Sequence, residues 1–268
     1  MTRLIVLRAM VTKSILQVRR YPFNLISGLI TLMAVFLVVF FGAKYLMAGS
    51  PSAAIAGSPV TSMGDKQAGI VLALMLWAFT LFAYSDVTWH LMQEATQGTL
   101  EQLYMSPVGF GWVALSDAAG SLIINFTLSF SMLFLMMLIS GQWLHMDLVS
   151  VVPLMLLVVW AVYGIGLLIG GMALVFKQVQ AAFQIMQFFW LGLIVVPIDK
   201  MPLLKYAPVA WGRHLLQRVM LHDESITRMP PGDLMFLVLN SAVYFGLGYL
   251  GFKWFERVAR DRGLLGHY

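Results

Sequence analysis

The sequence predicts an all-α integral membrane protein, and three observations carry that reading. Of its 268 residues, 60% are hydrophobic and 11% charged, with a mean hydropathy of +0.84. A soluble domain carries about 25% charged residues, so this chain cannot clothe a soluble surface. Its apolar residues gather in runs close to the roughly 20 residues that a helix needs to cross the hydrocarbon. Lys and Arg cluster at the two ends: nine of the 17 lie before the first run or from the end of the last run onward. There is no cysteine, which excludes disulfides and Cys-based metal sites. The histidines His90, His145, His214, His222 and His267 are scattered without metal-ligand spacing. The pI near 9.5 reads as topology and attraction to lipid headgroups, not as nucleic-acid binding.

Residues 1–22 are expected to form a cytoplasmic amphipathic helix at the membrane interface. Leu4, Leu7, Val11, Ile15 and Val18 fall on one helical face, and the basic residues lie mostly off it. Residues 23–254 form a six-helix transmembrane domain, with candidate spans Phe23–Tyr45, Gly69–Ser85, Val113–Ser140, Leu148–Phe176, Val179–Val196 and Leu234–Trp254. The first run is longer than a signal h-region and no Ala-x-Ala-like site follows it closely, so it is expected to remain as an anchor. Residues 255–268 form a C-terminal tail. An even number of spans places both tails on one side, and their basic residues make that side cytoplasmic. The expected location is therefore the cell membrane, with multiple passes. The segment from Pro197 to Asp233 then lies outside. Pro197, Pro202 and Pro208 break helices there, yet Trp211, Leu215, Leu216, Val219 and Met220 recur at helical spacing. Short re-entrant helices that dip into or lie on the outer leaflet fit this pattern, provided their backbone meets protein or a wet cavity.

Within the spans, Gln180, Gln184 and Gln187 share one face of the fifth. Amides are costly against lipid, so this stripe lines a pathway or a dimer interface, or else fixes packing through interhelical hydrogen bonds. Asn125, Asn240 and Tyr244 read as packing residues. Gly166-x-x-x-Gly170, with Gly164 and Gly171 nearby, lets the fourth span approach a neighbour closely. Asp86 and Asp117 lie at span ends, and Asp117 is placed to pair with a basic residue of the N-terminal helix.

The loop Glu94–Pro107 is the unusual element. It joins the second and third spans on the cytoplasmic side and has two carboxylates but no Lys or Arg, against the usual excess of positive charge there. Thr99 and Gln102 have capping-box spacing, Glu101 falls in the first turn where a carboxylate suits the helix dipole, and Ser106-Pro107 closes the segment. On these grounds Glu101 either stabilises a helix end or offers a docking point.

Glu94-x-x-x-Gly98-Thr99-Leu100-Glu101-x-Leu103-x-x-Ser106-Pro107, after the second of six spans, resembles the signature of ABC-2-type transporter permeases. The amphipathic N-terminal helix, the span count and the Pro-rich outer segment resemble the family as well. The resemblance implies the membrane subunit of an ABC exporter. Glu94, Gly98, Thr99, Leu100, Glu101, Ser106 and Pro107 would then dock an ATP-binding cassette ATPase subunit, with Glu101 near its Q-loop. It also implies a homodimer. No Walker A pattern occurs in the chain, so it is not expected to be an enzyme by itself. No cofactor is expected in this chain, since ATP and Mg would be bound by the partner subunit. The expected partners are that ATPase, a second copy and membrane lipids, with no nucleic acid. The expected cargo is a hydrophobic or amphipathic molecule, a drug, antibiotic or lipid, because the spans offer few fixed charges. A lipid-linked glycan is the alternative. An ion-driven secondary transporter would need internal repeats or charged, broken midplane helices, and neither is evident. An intramembrane enzyme lacks its His-Glu-x-x-His or Gly-x-Ser-x-Gly signature.

Overall fold

The computed structural model describes residues 2–49, 63–96, 110–176, 179–195 and 201–261, and every regular element among them is helical. Helix α1 spans Thr2–Arg20, and Tyr21 separates it from α2, Pro22–Gly49. Pro22 opens α2, where a missing N–H costs nothing and the fixed φ already suits the helix. The other helices are α3 (Met63–Thr96), α4 (Phe110–Ser140), α5 (Leu148–Phe176), α6 (Gln180–Val195), α7 (Ala210–His222) and α8 (Pro231–Asp261). Short 3-10 turns at Pro202–Tyr206 and Ile226–Arg228 flank α7.

Five helices, α2 to α5 and α8, are long and apolar enough to cross a membrane. The protein is thus all-α and membrane-embedded. The expected span Leu148–Phe176 coincides with α5. The greatest difference is the start of α3, at Met63 and not Gly69, while its continuation past Ser85 to Thr96 agrees with a second span that runs on to about Glu94. Hydropathy marks the apolar part of a helix only, and Asp65, Lys66 and Gln67 extend this one at its start. The fifth apolar run forms α6, of only 16 residues. At 1.5 Å per residue it measures about 24 Å, short of the ~30 Å hydrocarbon.

Helix α3 is the hub. Its apolar window is 72% buried, against 17% for α2 and for α8. Val71, Leu76 and Phe79 have no exposed surface. Phe79 meets Phe126 of α4 edge-on at 5.1 Å. Thr88 donates to the Gly166 carbonyl of α5 at 3.1 Å. Tyr84 donates to the Phe183 carbonyl of α6 at 3.0 Å, and Trp77 reaches the Gln187 carbonyl at 3.4 Å. The outer helices show Ile30, Val38, Leu247 and Leu250 outward, a surface suited to lipid.

The closest helix pair is α5 with α8. A methyl group on Gly248 would fall on the Gly164 carbonyl, and one on Gly164 would fall on the backbone of Tyr244 and Phe245. One on Gly171 would lie 3.0 Å from the Phe252 Cα. Residue numbers rise together along this contact, so the two helices run parallel. The glycines of the fourth span therefore do permit a close approach. Gly164 and Gly171 make it, while the Gly166 carbonyl serves Thr88.

Helix α1 lies along the first third of α4. Arg3 stacks over Trp112 at 5.5 Å, and the Trp112 indole donates to the Arg3 carbonyl at 3.1 Å. Lys13 and Asp117 stand 3.7 Å apart, the pairing that the sequence suggested. Gly120 leaves room for α1, since a Cβ there would meet Ser14 Oγ at 2.7 Å and the Val11 Cα at 3.2 Å. The packed face carries Leu7, Met10, Val11, Ser14 and Val18, while Leu4 and Ile15 of the expected stripe are exposed. Buried Ser14 bonds the Met10 carbonyl, which lets a polar residue sit on the inner face and shifts that face from the purely apolar one.

Candidate functional site

The contacts gather several segments at one end of the bundle. Thr88 of α3 sits level with Gly166 of α5, Gly171 sits beside Phe252 and Phe255 of α8, and Arg3 of α1 sits at the start of α4. The last turns of α3 and α8 and the first turns of α4 and α1 therefore share that end. Glu94 lies in the final turn of α3. Gly98, Thr99, Leu100, Glu101, Ser106 and Pro107 lie outside the described residues. The start of α1 and the last turns of α8 bring exposed Arg3, Arg8, Arg257 and Arg260 to that end, beside the exposed Asp261. Glu256 is buried there, paired with Lys253 at 3.0 Å and Arg260 at 2.8 Å, so two cations offset the cost of its desolvation.

The glutamine stripe lies on α6, which packs on α3 through Phe183 and Trp190. Phe183 stands 4.7 Å from the Tyr84 ring, and Trp190 is fully buried. Gln184 is exposed and Gln187 half-buried, while Gln180 opens the helix. Around Gln184 the exposed residues are Ile185 and Phe188, at 71% and 73%. An amide is thus held on an otherwise apolar outer face.

Beyond α6 the path is broken. Arg213 of α7 is only 7% exposed and donates from its guanidinium to the Ile194 carbonyl, at the end of α6. That is the negative end of the helix, where a cation satisfies carbonyls left without an intrahelical partner. Helix α7 then runs back along α5: Gly212 abuts Val158, and the His145 amide donates to the Met220 carbonyl at 2.9 Å. Val158 lies ten residues into α5, so α7 starts about 15 Å below the first turn of α5. A second ruler agrees. Asn240 and Tyr244 of α8 both donate to the Tyr206 carbonyl, at 3.0 and 3.1 Å, and Asn240 lies nine residues into α8. The bend into α7 is tight. Buried Val209 has φ 72°, a conformation that a β-branched residue adopts only under strain of about 1–3 kcal/mol.

At its other end α7 is clamped. Arg218 makes a two-pronged bond with Glu224, 2.7 Å on each side, and a third bond to Asp233 at 2.8 Å. The Arg218 guanidinium holds the Glu224 carboxyl below its ordinary value. Asp223, with φ 55°, ends the helix and stands 2.9 Å from His145.

The sequence reading recognised Leu215, Leu216, Val219 and Met220, all buried on α7 as their spacing requires. It passed over Arg213 and Gln217. Their signal was present, because both fall on the helical face of Leu216 and Met220, where a charge needs a partner. Asn240 and Tyr244, expected only to pack, hold the turn before α7. Among the described residues no group of His, Cys, Asp or Glu has a metal-binding arrangement. Comparison with known proteins gave no match to a family profile and none to a curated protein.

Proposed function

We propose that the chain is the membrane subunit of an ATP-driven exporter of the ABC-2 type, working as a homodimer with a separate ATP-binding cassette ATPase. In this reading it spans the cell membrane with both termini in the cytoplasm. It moves a hydrophobic or amphipathic molecule, a drug, antibiotic or lipid, out of the cytoplasm or inner leaflet. One observation carries the reading: the acidic segment Glu94–Pro107, free of Lys and Arg, links α3 to α4 in the sequence, and the adjoining helix ends lie where Arg3, Arg8, Arg257 and Arg260 are exposed. A partner presenting cations or free N–H groups suits such a segment. Two features support it further. Helices α6 and α7 together make the sixth passage, broken where Arg213 meets Ile194. Exposed Gln184 gives a second copy a polar contact on a face that lipid would leave unsatisfied.

The test is Glu101→Lys. Helix propensity hardly changes, and the dipole penalty at an exposed site is at most about 1 kcal/mol, too little to unfold the bundle. A desolvated charge-assisted contact contributes roughly 1.5–3 kcal/mol. The variant is expected to insert and dimerise normally, to retain less ATPase on co-purification, and to lose transport. Wild-type transport at normal expression refutes the docking role.

A further inference from the structure

A hydroxyl on a membrane helix has a partner close at hand, the carbonyl one turn back. On α4 the exposed Thr127 and Ser131 use it, donating to the Ile123 and Thr127 carbonyls at 2.8 Å each. Ser129 lies between them, is 1% exposed, and makes no hydrogen bond. One turn earlier, Asn125 is 7% exposed and its Nδ2 has no partner either. The two share the inner face of α4 with Met132 and Met136. They straddle the middle of the apolar stretch Ser116–Ser140, the depth at which an unsatisfied donor is most costly. Ser129 could recover a bond by turning back to the Asn125 carbonyl. It is turned inward instead, beside an amide in the same condition.

We propose that Asn125 and Ser129 form an intramembrane site for a neutral hydrogen-bond-accepting group, the oxygen of an alcohol, ether or carbonyl on an amphipathic guest. Asn125 Nδ2 can only donate and the Ser129 hydroxyl can donate beside it, which favours an acceptor that takes both bonds. Neutrality follows from the surroundings. Asp117 is the single charged residue of α4, and α5 has none, so nothing on either helix compensates an anion at this depth. Both donors are sealed in the present packing, so the guest gains access when α4 and its neighbours part. The inference stands apart from the exporter reading, because it requires only the bundle.

The absence of native cysteine makes the test direct. Ser129→Cys and, as the outward control, Ser131→Cys are each exposed in membrane vesicles to a small cationic methanethiosulfonate. The thiolate is the reacting form, and apolar surroundings suppress it. A thiolate at 129 meets the Asn125 amide donor, whereas one at 131 faces lipid, so once α4 and its neighbours part a pKa lower by about one unit gives Ser129→Cys an advantage of about tenfold in rate. n-Decanol is expected to slow that reaction, and n-decane, which lacks the acceptor oxygen, to leave it unchanged. Equal rates at 129 and 131, or equal effects of decanol and decane, overturn the site. Asn125→Cys, one turn away, repeats the measurement independently.

Discussion

The contact of Gly248 with Gly164 supplies a sharp test of what holds the bundle together. Changing Gly248 to Ala places a methyl group on the Gly164 carbonyl, and that obstacle is backbone. It cannot swing aside as a side chain does, so α5 and α8 must separate. Two positions earlier, Gly246 has nothing within 4 Å of its Cβ position. Gly246→Ala and Gly248→Ala both gain about 1 kcal/mol of helix propensity. That gain cancels in their difference, which isolates the steric cost, about 1–3 kcal/mol for forced overpacking. Between membrane helices the loss falls directly on the close van der Waals packing that drives association. The assay is loss of helicity on titrating the detergent-solubilised protein with SDS. Gly248→Ala is expected to unfold at lower SDS than Gly246→Ala, with wild type below Gly246→Ala and level with or above Gly248→Ala. Equal midpoints for the two variants refute the assignment of this contact as the tight one.

Two further outcomes rest on other parts of the fold. Thr88→Val removes the bond to Gly166 and should lower stability by roughly 0.6 kcal/mol, the average for such bonds in a membrane. Thr80→Val, at a buried hydroxyl with no partner, should be neutral or stabilising in the same titration. The Arg218 clamp sets a pH dependence. Because Glu224 titrates below its ordinary value in the fold, its contribution is complete above the unfolded value of about 4.3 and disappears as pH falls through the folded value. Acidification below that range should weaken the wild type and should have a smaller effect on Glu224→Gln, as read by thermal unfolding.

Helix positions were legible because hydropathy measures the length of a buried cylinder, and α5 matches its apolar run end to end. Polar extensions were not, since Asp65 to Gln67 continue a helix without continuing its hydropathy. The glycines announced a close approach but not their partner, because the Gly164 contact lies on a distant helix. Lys13 with Asp117 was readable, since each charge sits at a membrane edge and has few neighbours to choose from. Arg213 was missed because its role depends on where α6 stops, and composition gives α6 an apolar run nearly as long as a full span. On α4, Asn125 was visible as a polar residue in an apolar span. That its amide goes unpaired is a matter of rotamers and packing, which no residue pattern records.

The parallel course of α5 and α8 has a consequence for biosynthesis. Gly164 and Gly248 lie 84 positions apart, and two parallel neighbours require the chain to return across the bundle before the second can begin. The tightest seam among the described helices therefore closes only after α8 has left the ribosome and reached the bilayer. Until then the glycine face of α5 stands open to lipid or to any insertion factor that shields it, and a chain truncated before Pro231 carries that exposed groove permanently. Quality control that recognises unpaired small-residue faces in the membrane would find its signal here.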